Sequence, residues 1–361
     1  MKILVLQDRL RSGGTERQSI LLTRGFSAAG HSATLLTFRP GGALRPAADD
    51  LDIAALQPFD TGLDFFAPGL AAQARRLRPD VVLAMGRMAN CHAGLLQRRL
   101  GGTAVVATLR TGKPLPWLFR RTLRSATHVV ANSQEARAAA VGPHAVPPER
   151  VSVIYNALAF PPAVERSRDE GLRTRLGAGS GTTVLLSVAM FRPEKGQREL
   201  IGIAAGLPAG LDWQLWLAGD GPARAACERL VRDRGLAGRI KFTGFVSDPG
   251  PLYAAADVAV HASWSESLSN FIIEAQARGL PAVAAEARGM RECLVPDRTG
   301  FVVARGDHEG FRSALIRLIR ESPGERKVRS DEARAFARAT FDPSRQVEAY
   351  LELFERLGTR A

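Results

Sequence analysis

Residues 261–284 read HASWSESLSNFIIEAQARGLPAVA. A short apolar run, 258–260, leads into them, and another, 282–284, closes them. Ser267 and Ser269 stand ahead of the apolar residues Phe271, Ile272 and Ile273, so a helix is expected to begin near Leu268–Asn270. Strand, loop, helix and strand in that order make a parallel crossover. The first N–H groups of a helix have no partners within it, and its dipole is positive there, so this start forms an anion site. Glu266 lies just before the helix and Glu274 in its second turn, with seven residues between them. A carboxylate at Glu274 can accept from two neighbouring hydroxyls, as on a ribose. Either glutamate alone reads equally well as a solvated charge or a cap. The whole phrase carries the argument.

The same rhythm runs through the chain. Strand candidates fall at 3–6, 33–38, 81–84, 104–108, 128–131 and 151–154, with amphipathic stretches such as 17–28, 93–100 and 134–140 between them. Continuous rather than alternating apolar runs mark strands buried on both faces of a parallel sheet. Residues 161–181, with Pro161, Pro162, Gly177, Gly179 and Gly181, break the pattern and read as a linker. The rhythm resumes at 184–188, 215–217, 240–242, 258–260, 282–284 and 301–303, and the tail from about Gly310 looks purely helical. The fold class is therefore α/β, with two Rossmann-like, doubly wound parallel-sheet domains at 1–160 and 182–340 and a final helix at 341–361. Ligands of such sheets bind beyond the carboxyl ends of the strands, so functional residues should follow strands, in loops facing a central cleft. No G-x-G-x-x-G occurs, which leaves a dinucleotide cofactor without support.

Composition fits this reading. The chain has 361 residues, 45% hydrophobic and 24% charged, which excludes a disordered, collagenous or small disulfide-built protein. Cys91, Cys227 and Cys293 lie far apart, without C-x-x-C spacing, so neither a zinc site nor a redox pair is expected, and a reducing compartment fits. The opening apolar run is too short for a secretory signal, and no run approaches the ~18 residues of a spanning helix. The expectation is a cytoplasmic protein. The net charge of +13 is uneven, +10 over residues 1–160 and +3 over the rest. Such an excess suits an anionic partner, although an Arg-rich composition accounts for part of the total.

Arg192 and Lys195 follow the strand at 184–188. A guanidinium fork and an ammonium point charge suit a diphosphate. Gly219-Asp220-Gly221-Pro222 reads as a structural turn between strand and helix. Asp50-Leu51-Asp52 matches the D-x-D of metal-dependent sites, but it is a three-residue pattern without supporting context, and a metal is not expected.

Taken together these segments resemble the group 1 (family 4) retaining glycosyltransferases, which have the two-domain GT-B fold. The likeness rests on Ser-x-x-Glu266, Glu274-Ala and Gly279-Leu-Pro-Ala-Val, and on Gly13-Gly14-Thr-Glu16. It extends to Ala131-Asn-Ser, Val153-Ile-Tyr-Asn156, Leu217-Ala-Gly-Asp-Gly-Pro222, Phe242-Thr-Gly-Phe-Val-Ser-Asp248 and Pro296-Asp-Arg-Thr-Gly-Phe-Val. The resemblance implies that Glu274 holds the ribose diol of a nucleotide-sugar and that Glu266 contacts its sugar. It implies that Arg192 and Lys195 neutralise the leaving phosphates, and that Ser267, Leu268 and Asn270 approach the diphosphate. Gly13 and Gly14 would let backbone come close to donor or acceptor, and Gly244 and Phe245 would line the base pocket. The nucleotide-sugar is a substrate, so no cofactor is implied. One departure stands out. Arg110 follows the strand at 104–108, where a His is common in the family; a cation there can hold a phosphate or an acidic acceptor but cannot act as a base. His92, after another strand end, is a second candidate for acceptor or sugar contact.

The segment Lys113–Arg124, KPLPWLFRRTLR, mixes Trp117, Leu118 and Phe119 with four cations. It reads as a basic amphipathic segment able to contact an anionic membrane, which places the protein on the inner face of a bacterial cytoplasmic membrane. The implied activity is sugar transfer from a nucleotide-sugar, a UDP-sugar first, to a saccharide or lipid-linked acceptor in cell-surface polysaccharide or lipopolysaccharide synthesis. The alternative is a noncatalytic nucleotide-sugar-binding or partner protein that kept the fold. Nucleic acid is set aside, because no recognised motif appears and aromatics make up only 6%.

Overall fold

The computed structural model describes residues 1–11, 13–60, 62–63, 65–158 and 168–358. The chain divides into two compact units, Met1–Ala159 with Phe341–Ala361, and Phe160–Thr340.

The first unit holds seven parallel strands: β1 (Lys2–Gln7), β2 (Ser32–Thr37), β3 (Asp52–Ala55), β4 (Val81–Ala84), β5 (Ala104–Leu109), β6 (His128–Ala131) and β7 (Val151–Val153). Their order is β3-β2-β1-β4-β5-β6-β7. The helices between them are α1 (Gly14–Ala28), α2 (Leu70–Leu77), α3 (Arg87–Arg99), α4 (Trp117–Ser125) and α5 (Gln134–Val141). Successive side chains of a strand point to opposite faces, and both faces are covered here. Ile3 and Val5 pack with Phe26 of α1, while Leu4 and Leu6 pack with Leu70, Ala89 and Leu96 of α2 and α3. That two-sided burial is why the runs are continuous. β3 is the element the apolar pattern misses. It is a four-residue edge strand with no fully buried side chain.

The second unit contains α6 (Glu170–Arg175), then β8 (Thr183–Val188), α7 (Gln197–Ala205), β9 (Trp213–Ala218), α8 (Arg224–Asp233), β10 (Ile240–Gly244), α9 (Gly250–Ala255), β11 (Val258–His261), α10 (Asn270–Ala277), β12 (Ala282–Ala285), β13 (Gly300–Val303), α11 (His308–Arg320) and α12 (Pro323–Phe341). The sheet order is β10-β9-β8-β11-β12-β13, all parallel. The last helix, α13 (Pro343–Gly358), belongs to the first unit. There Tyr350 and Phe354 meet Phe26 edge-on at 6.1 and 5.6 Å between ring centres. No helix among the described residues is long and apolar enough to cross a membrane.

Residues 161–167 of the expected linker lie outside the described residues. The remainder, 168–181, is not a free connection. Arg173 of α6 is fully buried; it donates to the Ala255 carbonyl at 2.7 Å and to Asp257 Oδ2 at 3.0 Å. Asp257 also accepts from the Val184 N–H at 2.8 Å and pairs with Arg168 at 3.3 Å. A Gly- and Pro-rich composition hid a helix anchored by a buried charge pair.

Removing one partner of a buried pair leaves the other uncompensated, at a cost of roughly 3–5 kcal/mol. Arg173→Ala is expected to destabilise the second unit by about the lower figure, since Arg168 still reaches Asp257. Urea unfolding followed by fluorescence of Trp213 and Trp216 measures it, and an unshifted midpoint would refute the anchoring role.

Candidate functional site

In the second unit the strand order reverses between β8 and β11. Loops leaving neighbouring strands diverge at such a switch point, and open parallel sheets bind ligands in the resulting gap. The loop after β8 carries Arg192 and Lys195; the loop after β11 carries Glu266 and leads into α10. Two segments some seventy residues apart in sequence are stitched together there. The Glu194 carbonyl accepts from Ser263 Oγ at 3.0 Å and from the Trp264 N–H at 3.1 Å. Gly196 turns in the left-handed region, φ +70°, directly against the Ala262 carbonyl, where a Cβ would collide. Only glycine meets both demands cheaply.

Lys195 Nζ then donates to Glu266 Oε1 at 2.7 Å, and His261 Nε2 lies 2.8 Å from the same oxygen. The Glu266 side chain is only 10% exposed. Burial by itself raises the Glu266 carboxyl, but the hydrogen bond and field of His261, together with Lys195, outweigh it and hold the group at about 2. Arg192 is exposed, and its guanidinium has no protein partner among the described residues.

The start of α10 is fixed from below. Ser269 caps it, its Oγ accepting from the Ile272 N–H at 3.4 Å, while its own N–H donates to Cys293 Sγ at 3.2 Å. The Cys293 thiol donates onward to the Gly289 carbonyl at 3.2 Å. Burial pushes this thiol up, so it remains a protonated donor. Gly289, φ +69°, backs onto the Ser267 carbonyl. Ser267 and Leu268 are buried and Asn270 half-buried, so their backbone is held at the mouth of the helix. Glu274 Oε2 accepts from the buried Tyr253 hydroxyl at 2.7 Å; Tyr253 stacks on Phe271, and the Arg278 guanidinium lies 4.7 Å over its ring. At the end of β10, the Gly244 carbonyl accepts from the Gly219 N–H at 2.7 Å, and Phe245 stands 58% exposed.

The first unit treats its candidates differently. Gly13 caps α1 in extended backbone, and a side chain there would strike the Glu16 carboxylate, itself raised by burial. Gly14 begins the helix. Arg110, offered by the sequence as an acceptor contact, instead gives its guanidinium to Asn156 Oδ1 and the Tyr350 hydroxyl, both at 2.6 Å. It ties α13 to the sheet. His92 likewise meets the Phe65 carbonyl at 2.7 Å and packs edge-on against Phe38. Asp50 pairs with Arg24 and Asp52 accepts from Thr34, so both D-x-D carboxylates have structural partners. The sequence reading passed over Asp8, which accepts from the Met88 and Ala89 N–H groups and so caps α3. It also passed over His261, Tyr253 and Cys293. Only His261 offered a signal, its place at a strand end.

The depressed Glu266 value has a pH consequence. A carboxylate lower in the folded state than unfolded contributes stability that is complete above its unfolded value and is lost as pH falls through its folded value. The stability difference between wild type and Glu266→Gln should therefore be constant above about pH 5 and shrink between the ordinary carboxyl value of 4.5 and about 2. Urea titrations at stepped pH check this; a difference that already falls between pH 7 and 5 contradicts it.

Two family models match the chain, Glycosyltransferase Family 4 over residues 12–159 and Glycosyl transferases group 1 over residues 182–321. The lipopolysaccharide core biosynthesis glycosyltransferase LpsE of Rhizobium meliloti is 35% identical over 150 residues, 42% of this chain and 43% of LpsE. LpsD of the same organism is 30% identical over 184 residues, 51% of this chain and 52% of its own. The chain thus spans about half the length of these curated relatives. Among solved structures, Anabaena HepE in complex with UDP superposes with a TM-score of 0.84 at 24% identity, covering 99% of this chain and 100% of its own. With one model on each unit and the GT-B fold throughout, the chain belongs to the group 1, family 4 glycosyltransferases.

Proposed function

We propose that this protein is a retaining glycosyltransferase that moves a sugar from a UDP-sugar to a saccharide or lipid-linked acceptor in lipopolysaccharide or cell-surface polysaccharide synthesis. The observation that carries the reading is the joining of Lys195, Glu266 and the α10 start at one switch point. Cleavage at the anomeric carbon builds negative charge on the departing diphosphate. Arg192, Lys195 and the α10 N–H groups supply fixed positive charge on that side, the role of an electrostatic hole. Side-chain cations in this role make a metal unnecessary. Glu266 Oε2 faces the sugar hydroxyls, and Glu274, oriented by Tyr253, takes the ribose diol. The donor phosphate accepts the acceptor proton on the same face, which accounts for a reading without a protein base. The choice of UDP follows the complex of HepE, and the acceptor class follows the names of LpsE and LpsD.

A hydrolysis screen over UDP-, GDP- and ADP-sugars should find turnover that survives EDTA. Loss of one charge-stabilising donor typically costs about 10²–10³ in rate. Arg192→Ala with Lys195→Ala should therefore lower kcat by at least about 10², while Glu274→Ala should mainly raise donor KM. Full activity in the double variant defeats the assignment, and binding without turnover favours the noncatalytic alternative.

The first unit supports a membrane contact in the same reading. Helix α4 buries Phe119, Thr122 and Leu123 and turns Trp117 outward, 61% exposed, beside Leu118, Arg120 and Arg121. Arg124 is bound to the His144 carbonyl at 3.1 Å and is partly structural. Phe59, Leu63, Phe65 and Phe66 are also exposed, on a loop whose backbone the buried Arg39 grips at the Leu63 and Phe66 carbonyls. Such apolar exposure beside cations suits an anionic interface. Binding to phosphatidylglycerol vesicles should fall with salt as the Debye length shortens from ~10 Å at 0.1 M to ~3 Å at 1 M. Trp117→Ser with Arg120→Ser and Arg121→Ser should weaken it and leave UDP binding intact. Unchanged vesicle affinity would remove α4 from the interface.

A further inference from the structure

Glu266 receives two N–H groups on one oxygen and none on the other. Lys195 Nζ and His261 Nε2 both meet Oε1, whereas Oε2 has no protein partner among the described residues. His261 is 2% exposed at the end of β11, its ring 5.5 Å from that of Phe271. Its Nδ1 is buried without a partner, so the imidazole works through Nε2 alone. With a carboxylate as acceptor, Nε2 carries the proton. A histidine buried beneath the site in this way is out of reach of a bound sugar.

We infer that His261 is a positioning residue that keeps Glu266 hydrogen-bonded when Lys195 turns to the diphosphate. The inference rests on the nucleotide-sugar reading above. Lys195 has a single charge and two claims on it. If it were the only partner of a nearly buried carboxylate, releasing it would leave that carboxylate unpaired, which is costly. Lys195 would then stay on Glu266, and the diphosphate would lose it. His261 removes this conflict, because Oε1 remains satisfied by a neighbour that does not move. The same contact fixes which oxygen is left over, so Oε2 stays aimed at the hydroxyls of the donor sugar. His261 thereby acts through both Lys195 and Glu266 without touching the reacting atoms.

The test compares His261→Leu, His261→Asn and His261→Gln in the full chain, by calorimetric binding of UDP and UMP and by kcat and KM. Leu has no donor, the Asn amide does not reach Oε1, and the Gln amide places an N–H near Nε2. For Leu and Asn, UDP affinity should fall about tenfold, the scale of one charge-assisted hydrogen bond, with UMP affinity within about twofold of wild type. Their kcat should fall by more than KM rises, and Gln should recover to within about threefold on every measure. Should Leu fail to fold, the contrast between Asn and Gln decides. Unchanged UDP affinity in Asn and Leu overturns the proposal, as does equal loss of UDP and UMP in all three, which marks a packing role only. A wild type that binds none of UDP, GDP or ADP overturns the nucleotide-sugar reading itself, and the role of His261 falls with it.

Discussion

Two loops must hold together across a gap that the sheet opens. At the reversal between β8 and β11 the strands send their connections to opposite faces, and nothing in the sheet itself keeps those connections in register. The shared carboxylate oxygen of Glu266 does so, with the Glu194 carbonyl as its backbone counterpart. Four donors, three from the two loops and His261 from the end of β11, converge on two acceptors. This sets Glu266 beside the start of α10 and brings Lys195 up to it from the other loop.

The strands were legible because burial on both faces leaves only one kind of sequence, an unbroken apolar run. The exception, β3, lies at an edge, where half-exposed positions dilute the pattern. Arg192, Lys195, Glu266 and Glu274 were legible as candidates for another reason. They follow strands or begin a helix, so their position can be judged before any contact is known. Tyr253 and Cys293 carry no such mark, and His261 has only its place at a strand end. Each is a buried polar group whose meaning is its partner, and those partners lie 5, 21 and 24 residues away, set by packing. Residues 168–181 failed for the converse reason, since Gly177, Gly179 and Gly181 close a short helix as readily as they make a linker.

The cations of the first unit show where reasoning from residue type stops. Arg110 and His92 stand after strand ends, as a ligand contact would, yet the fold engages both. A carbonyl, an amide and a phenol take their N–H groups. The same holds for Arg39 and Arg173, buried among backbone carbonyls. A planar guanidinium with five donors can close several loop carbonyls at once, and in an Arg-rich chain the fold uses it so. The +10 of residues 1–160 therefore overstates the charge available to a partner. Exposed cations remain at Lys113, Arg120, Arg121 and Arg124 around α4, and at Arg75, Arg76, Arg98 and Arg99 on α2 and α3.

A carboxylate in the proposed phosphate site looks like a mistake, because like charges a few ångströms apart cost about 4 kcal/mol even at an effective dielectric near 20. The geometry answers it. Oε1 is turned toward Lys195 and His261, so the charge is compensated on the side facing the cations. Arg192 and the helix start remain uncommitted to Glu266 and keep the phosphate side positive. The carboxylate can then serve as a pure acceptor for hydroxyls through Oε2. In the proposed reading one residue thus separates an anion-binding region from a sugar-binding region within a single loop, and it does so while it stays ionised. Burial raises this carboxyl, but His261 and Lys195 outweigh it and hold it at about 2, so it stays ionised at neutral pH.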